Sequence, residues 1–505
     1  MKRVILTAIG LTFGVSNSIA GDLESDLQKA LNERYNRSYY YNNSDTDNLL
    51  PQIGTVGSTT ITTQEEKVFG KYFFKKARQH LNIIDDPVLD EYIGTLGSRL
   101  ISHANNVHFP FNFFLVNDPK LNAAAFLGGN VKVNAGLFTY ADNESQLASV
   151  LAHEITHVTQ RHLARFIEDA YSRQTKTIGA IVGSIVIALI NPVIGMAALN
   201  ATLALNIQNT INYTRSDELE ADHIGIDLLY RAGFDPGEMA VFFNKLTSMG
   251  RRTIPANLID HPIPEVRVAD ARSRAMRYPP VKTDENINFY FAKARIFVRF
   301  SENSADFCVE HFTRLLEKNQ NSGRYNRSYL LYGLTLAYIK KNDYTNARRY
   351  FNMIGAEYRN NLFMLDTFSD LELLKNNTSE VIRVLTERLK FTPRSPTIIL
   401  NLAVAYIKAN NAKKALKLLE DLAKQQPDNL LVQDLLSDCY KSLRMKMEYY
   451  ISLGKRFALV SDYTKSNMNY NYAYQYAKTR LDKAKINALI VLNEQNRKSD
   501  AQFEK

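Results

Sequence analysis

The sequence predicts a mainly α-helical protein, in which a helical domain with a small β-hairpin precedes a solenoid of helical repeats. Apolar residues recur at helical spacing on both sides of one short β region, which lies between Phe109 and Tyr140. Beyond Pro280 the sequence repeats with a period of 34 residues. These observations divide the chain into a first domain over residues 63–278 and a repeat domain over residues 281–505.

The first twenty residues have the features of a secretory signal peptide. Lys2 and Arg3 precede an apolar run that is too short for a transmembrane span, and Ser18-Ile19-Ala20 forms a small-residue cleavage site. The polar stretch 21–62 should be a loosely ordered lead-in. We therefore expect an exported protein.

Helix and strand signals in the first domain begin near Thr63, which is predicted to cap a helix over residues 64–81. Asp86 and Pro87 indicate the start of a second helix, over residues 87–103. Residues 111–116 and 130–134 are predicted to be consecutive strands of a hairpin. A long helix, free of proline, should then run from Asn143 to Phe166.

A candidate metal-binding motif lies inside that last helix. His153 and His157 are four residues apart, so their imidazoles lie on one helix face and can bind the same ion. Glu154 can deprotonate a water molecule in the open coordination position of the metal. Taken alone, the pattern also fits a surface helix with two unrelated histidines.

A third ligand is available further along the chain. Glu218 and Asp222 are again four residues apart in a helical stretch, so one carboxylate can bind the metal while the other lies beside it. Two histidines and one carboxylate leave a position for water, as a catalytic zinc site requires. Without the histidines, the same stretch would be interpreted as a solvated acidic helix face.

These motifs resemble those of the gluzincin metallopeptidases related to HtpX and the CAAX prenyl proteases. The resemblance covers roughly Thr63 to Arg277, and includes an Asn-Ala-x-x-x-x-Gly-Gly segment beginning at Asn122 and a His-Pro-x-x-x-x-Arg segment beginning at His261. It implies a zinc metallopeptidase fold with one zinc ion per chain. It also implies the roles of individual residues: zinc ligands His153, His157 and Glu218, general base Glu154, and proton donor Asp222. On chemical grounds, Asp222 can instead orient a ligand.

With a signal peptide in front and repeats behind, the chain is similar to exported members of this family. The resemblance implies a periplasmic protease that degrades stalled outer-membrane β-barrel precursors and other misfolded envelope proteins. It also implies that the repeat domain contacts the outer-membrane β-barrel assembly machinery.

Three further regions of the first domain carry alternatives. The strand Asn130, Val131, Lys132 and Val133 can hold an extended peptide substrate or serve only as scaffold. The apolar stretch 177–208, divided by Asn191-Pro192, predicts a helical hairpin that is buried, covers the active site, or touches a membrane surface. His261, in a proline-flanked segment, can occupy the fourth position of the zinc as a regulatory latch, or assist catalysis from the cleft edge.

The repeats resemble tetratricopeptide repeats, which are stacked pairs of helices. Ala337, Ala405, Cys439 and Ala473 fall on one 34-residue register of small core positions. Cys308 lies several repeats away from Cys439, so a disulfide between them is not expected.

Charge is distributed unevenly along the chain. Its net charge is +10, and residues 281–505 contain 36 Lys and Arg against 24 Asp and Glu, a net +12 for the repeat domain. This excess can favour an acidic partner or anionic lipid headgroups, but no basic-aromatic motif predicts nucleic-acid binding.

The sequence therefore predicts an exported zinc metalloendopeptidase with a helical repeat domain for substrates or partners. The sequence is also compatible with two other hypotheses. One is an assembly chaperone whose metal site is normally latched, and the other is an integral membrane protease that uses the apolar hairpin to span the membrane.

Overall fold

The computed structural model describes residues 61–172, 178–190, 215–248, 265–281, 286–318 and 324–503. These residues belong to one compact unit. The predicted signal peptide, most of the lead-in, the second half of the apolar hairpin and His261 lie outside the described residues.

The first domain contains nine described helices and three strands, in line with the predicted fold class. The helices are α1 (Thr63–His80), α2 (Pro87–Ile101), α3 (Ala135–Tyr140), α4 (Glu144–Thr159), α5 (His162–Ser172), α6 (Ile178–Ile190), α7 (Arg215–Arg231), α8 (Gly237–Ser248) and α9 (Glu265–Ala275). The strands are β1 (Asn112–Val116), β2 (Ala123–Phe126) and β3 (Asn130–Asn134).

The remaining described chain is helical, apart from one short 3-10 turn at Ala356–Tyr358. Its helices are α10 (Ile287–Arg299), α11 (Ala305–Lys318), α12 (Arg324–Lys340), α13 (Tyr344–Asn352), α14 (Leu362–Leu374), α15 (Thr378–Leu389), α16 (Pro396–Lys408), α17 (Ala412–Gln425), α18 (Leu430–Ser442), α19 (Lys446–Leu459), α20 (Tyr463–Tyr476) and α21 (Arg480–Ala501).

The sheet differs from the predicted hairpin. Its strand order is β1-β3-β2, with β1 parallel to β3 and β2 antiparallel to β3. The two predicted strands are therefore parallel neighbours, and the hairpin partner of β3 is β2. The sequence Ala-Ala-Ala-Phe of β2 was missed because alanine has low strand propensity and the strand is only four residues long.

The first two helices begin close to their predicted starts. Asp86 caps α2 as expected, since its side chain accepts the backbone N–H of Leu89. The predicted cap of α1 is wrong by one residue, because the reciprocal capping bonds join Thr62 and Glu65. Thr63 is instead the first helical residue.

The predicted long helix is two helices, α4 and α5. Asn143 caps α4 as expected, because its side chain accepts the backbone N–H of Gln146. The helix is interrupted at Arg161, whose backbone is in the left-handed conformation with φ 56°. Nothing in the sequence marks this break, since no glycine, asparagine or proline stands there.

The first helix of the apolar stretch, α6, packs against protein. Its residues Ile181, Val182 and Ile185 are fully buried in a cluster with aromatic side chains of α1 and with Phe503, near the C-terminus. Gly183 permits this approach, because a Cβ there would lie 2.0 Å from the carbonyl oxygen of Phe503. Among the described helices, none is long and apolar enough to span a membrane.

Backbone conformation confirms the 34-residue period. Left-handed residues end the first helix of four successive repeats, at Asn342, Asn376, Asn410 and Arg444. The small or apolar positions of the common register are all buried: Ala337, Leu371, Ala405, Cys439 and Ala473. Cys308 and Cys439 are both buried free thiols, as expected.

A buried charge network joins the two domains. Arg295 of α10 is 1% exposed and contacts the carboxylates of Asp86 at 2.8 Å and Asp366 at 2.6 Å. Because Asp86 also caps α2, the first helices of the solenoid are tied to the domain that carries the metal motif.

Candidate metal centre

The metal helix α4 lies in the middle of the first domain. It packs against α7, which carries the predicted carboxylate ligand, and against β2 at the edge of the sheet. The side chains of His153, Glu154, His157 and Glu218 are all buried. The packing of α4 against α7 thus places these four predicted site residues close together.

Three ligand atoms converge between α4 and α7. Nε2 of His153 lies 3.0 Å from Nε2 of His157. The Glu218 carboxylate contacts both rings, with its Oε2 3.5 Å from Nε2 of His153 and its Oε1 3.5 Å from Nε2 of His157. Two ligand atoms on a tetrahedral zinc, each about 2.0–2.1 Å from the ion, are about 3.3 Å apart. The spacing and chemistry of this donor set therefore fit zinc.

Glu154 contacts the sheet with one of its carboxylate oxygens. Its Oε2 accepts the backbone N–H of Ala125 in β2 at 2.8 Å. The carboxylate of Glu154 is buried on the same helix as His153 and His157, which is the arrangement that a general base beside a metal requires.

Asp222 contacts a ligand instead of facing the ligand atoms. Its Oδ1 lies 3.0 Å from Nδ1 of His153, the ring nitrogen that faces away from the other ligands. Arg267 of α9 holds the same carboxylate by two bonds, at 2.7 and 2.8 Å, and also contacts Glu218 at 2.6 Å. Asp222 thus contacts the predicted ligand His153, and Arg267 contacts both Asp222 and the predicted ligand Glu218.

The same carboxylates determine the charge of His153. Burial alone would lower its pKa, but the hydrogen bond to Asp222 and the nearby Glu218 outweigh burial and raise the pKa to about 10.

The second histidine ligand has a different partner, which sequence reasoning missed. Nδ1 of His157 lies 2.7 Å from Nδ1 of the buried His162, and Nε2 of His162 lies 3.1 Å from Glu220. A spacing signal was present, because His162 follows His157 by five residues. It was not interpreted because an unbroken helix would place His162 on a different face.

The strand that was predicted to bind substrate, residues 130–133, is not at an edge of the sheet. Residues 130–133 belong to β3, which is the central strand and is paired on both edges. The strand with an edge next to α4 is β2. A small pocket lies beside it, lined by Glu66, Ala125, Phe126, Leu127, His157, Val158, Arg161, Leu163 and Ala164.

Comparison with known proteins is consistent with this geometry. Residues 87–275 match the model of peptidase family M48, and residues 373–439 match a tetratricopeptide-repeat model. The chain is 37% identical over 418 residues to the beta-barrel assembly-enhancing protease of Escherichia coli (strain K12), covering 82% of this chain and 85% of the relative.

Two further relatives show how far the similarity extends. The beta-barrel assembly-enhancing protease of Yersinia pestis is 36% identical over 423 residues, covering 83% of this chain and 86% of the relative. The mitochondrial metalloendopeptidase OMA1 of Arabidopsis thaliana is 29% identical over 165 residues, or 32% of this chain and 31% of the relative. Similarity to the first group thus spans most of the chain, including the repeats.

Proposed function

This chain belongs to the M48 metallopeptidases of the beta-barrel assembly-enhancing protease type, and from that premise we propose that it is a zinc-dependent endopeptidase of the cell envelope. The observation that carries the proposal is the convergence of His153, His157 and Glu218 within 3.5 Å of one another. These three side chains would hold one zinc ion per chain. When bound, zinc supplies Lewis-acid chemistry, which polarises a peptide carbonyl and makes water more acidic.

Glu154 acts as the general base. Its carboxylate accepts a proton from the attacking water and then delivers that proton to the leaving amine of the substrate. The hydrogen bond from Ala125 fixes the carboxylate beside the ligand atoms, and its burial keeps bulk water away from it.

Asp222 acts as a positioning residue. Both carboxylate oxygens of Asp222 accept hydrogen bonds from Arg267. One of them also lies beside Nδ1 of His153, the ring nitrogen opposite the proposed zinc-binding Nε2. The family resemblance implied that Asp222 is a proton donor. These contacts instead favour a role in orienting the ligand His153.

The substrate is an extended polypeptide that adds to the edge of β2. β2 is the last strand in the order β1-β3-β2, so one of its edges is not paired within the sheet, and this strand lies against the helix that carries Glu154. In this proposal β2 replaces residues 130–133 as the substrate-binding strand, because both edges of β3 are already paired.

The biological substrates follow from the relatives' name and the predicted export signal. We infer that the protease works in the periplasm on stalled or misfolded outer-membrane β-barrel precursors. The basic repeat domain is the candidate contact for the β-barrel assembly machinery, and peripheral contact with a membrane surface remains part of the proposal.

A second function, assembly chaperone, is favoured by one observation. The solenoid is fixed to the metallopeptidase domain through the buried Arg295, so a client bound by the repeats is held next to the peptidase. A latch on the metal, for which His261 is the candidate from sequence, would let the repeats hold a client without cleaving it. His261→Ala should raise proteolysis of casein if the latch exists, and lower it if the histidine assists catalysis.

Digestion of casein by purified protein tests the proposed activity. Wild type should cleave casein, and a chelator should abolish the cleavage. Glu154→Gln should retain zinc and lose activity by about two orders of magnitude or more, the usual contribution of a general base. Cleavage by Glu154→Gln at the wild-type rate would refute the assignment of the base.

A further inference from the structure

We propose that His162, supported by Glu220, is a positioning residue that fixes the metal ligand His157 in its zinc-binding tautomer. The proposal rests on the zinc site proposed above and extends it to a residue outside the proposed set of zinc ligands. Nδ1 of His162 lies 2.7 Å from Nδ1 of His157, and both rings are buried.

The hydrogen-bond chain has one consistent arrangement of protons. Nε2 of His157 is the atom that faces His153 and Glu218, so in a neutral metal-binding ring the proton must be on Nδ1. His157 then donates to Nδ1 of His162. The proton of His162 lies on Nε2, from which it is donated to Oε2 of Glu220 at 3.1 Å.

The two histidine ligands are therefore held in different ways. Nδ1 of His153 faces the buried carboxylate of Asp222, whereas Nδ1 of His157 faces the imidazole of His162, which in turn contacts Glu220. The outer carboxylate, Glu220, is 39% exposed in its side chain and also contacts Arg165 at 3.1 Å. A partner of this kind orients the ligand ring and increases its basicity, and its loss typically weakens metal binding 10- to 100-fold.

The interruption of the helix at Arg161 allows the side chain of His162 to contact the ring of His157. An unbroken helix would carry residue 162 onto a different face, but the left-handed conformation of Arg161 turns the chain there. The Arg161 side chain is anchored at 2.7 Å to the buried carboxylate of Glu66 and at 2.6 Å to the carbonyl of Ile61. A non-glycine residue in this conformation persists only where its surroundings hold it.

The test measures the zinc dissociation constant by competition with a chelator, so that it does not depend on activity. His162→Phe keeps a buried ring but removes the acceptor, and should bind zinc about 10- to 100-fold more weakly than wild type. His162→Asn places an amide oxygen near the position of Nδ1 and should recover most of that loss. A matched control is His311→Phe, at a half-buried histidine of the repeat domain, which should bind zinc as wild type does.

Folding is monitored by the melting temperature of the metal-free proteins, which should be similar in wild type and His162→Phe. If His162→Phe does not fold, the variant Glu220→Gln, at the exposed end of the hydrogen-bond chain, decides, and should bind zinc about threefold or more weakly. Equal zinc affinity in wild type and the folded variants would overturn the proposal, as would equal losses in His162→Phe and His162→Asn. A wild type that binds no zinc would refute the zinc site itself, so the two failures are distinguishable.

Discussion

Ala125 donates its backbone N–H to the carboxylate of Glu154 at 2.8 Å, which ties the edge of the sheet to the proposed general base. The bond crosses from β2 to the metal helix. It shows that the strand beside the metal helix is β2, a strand too short and too rich in alanine to be recognised in the sequence.

Replacing Ala125 by proline tests this relationship. Ala125→Pro removes the N–H that faces Glu154 but no bond between β2 and β3, and proline is tolerated on an edge strand in that position. The loss of one bond to a charged group should lower kcat/KM for casein peptides about tenfold or more. Zinc content should not change, because no ligand is altered.

Ala125→Ser is the matched control, since it keeps the N–H and nearly the same volume, and should retain activity close to that of wild type. Equal activities of Ala125→Pro and Ala125→Ser would show that neither Glu154 nor the substrate depends on this N–H.

Asp222 can be tested for its two alternative roles with a single substitution. Asp222→Asn preserves shape but removes the charge that holds His153 and Arg267. If Asp222 positions a ligand, zinc affinity should fall about 10- to 100-fold. If it only donates a proton, zinc affinity should be unchanged while kcat falls.

The control for this prediction lies on the same helix. Asp227→Asn affects a half-exposed pair with Arg231, one turn beyond Asp222, and should alter neither zinc affinity nor kcat. Chelator competition and steady-state kinetics on the same preparations separate the two roles.

The contact between the domains gives a prediction for stability. Arg295→Met removes the guanidinium that pairs with both Asp86 and Asp366 and leaves these two carboxylates buried without it. Removal of one partner from a buried charge cluster lowers the free energy of unfolding by about 3–5 kcal/mol. We expect Tm to fall by about 5 °C or more. Arg383→Met, which affects an exposed pair with Glu380 three residues away on the same helix, should leave Tm nearly unchanged. Similar Tm values for both variants would contradict the role assigned to Arg295.

The repeat domain should have an acid-sensitive histidine. Burial against Phe297 and Phe307, together with the charge of Arg314, lowers the pKa of His311 below its ordinary value of 6.5. The unfolded chain therefore binds the proton more readily, so the stability that His311 contributes is present above about pH 6.5 and is lost as pH falls through its folded pKa.

His311→Phe removes this titration and keeps the stacking. Between about pH 7.5 and pH 5.5, it should lose less of its free energy of unfolding than wild type does. Denaturant unfolding at the two pH values measures both losses, and equal losses would show that His311 does not contribute.

The parts of the site that follow from helix periodicity were predictable from sequence. The spacing of four residues places His153 with His157 and Glu218 with Asp222, and nothing beyond an α-helix is needed to bring each pair together. Family resemblance identified the pairs as one site. The 34-residue register likewise predicted which residues of the solenoid are buried, because each repeat makes the same local contacts.

The parts that depend on tertiary contact were not predictable. The left-handed backbone of Arg161 is stabilised by Glu66 and Ile61, far away in the chain, so no local signal marks the end of α4 or places His162 under His157. Parallel pairing of β1 with β3 also depends on a third strand between them in sequence. Arg267 was recognised as part of a motif, but its contacts with Asp222 and Glu218 required the fold.

Zinc content of the purified protein tests the central claim most directly. Elemental analysis should find about one zinc per chain in wild type and in Glu154→Gln, whose altered residue is not a ligand. His157→Ala should lose most of the metal, because two of the three converging ligand atoms cannot hold it. Full zinc occupancy in His157→Ala, or an active wild type without zinc, would contradict the metal centre described for this chain.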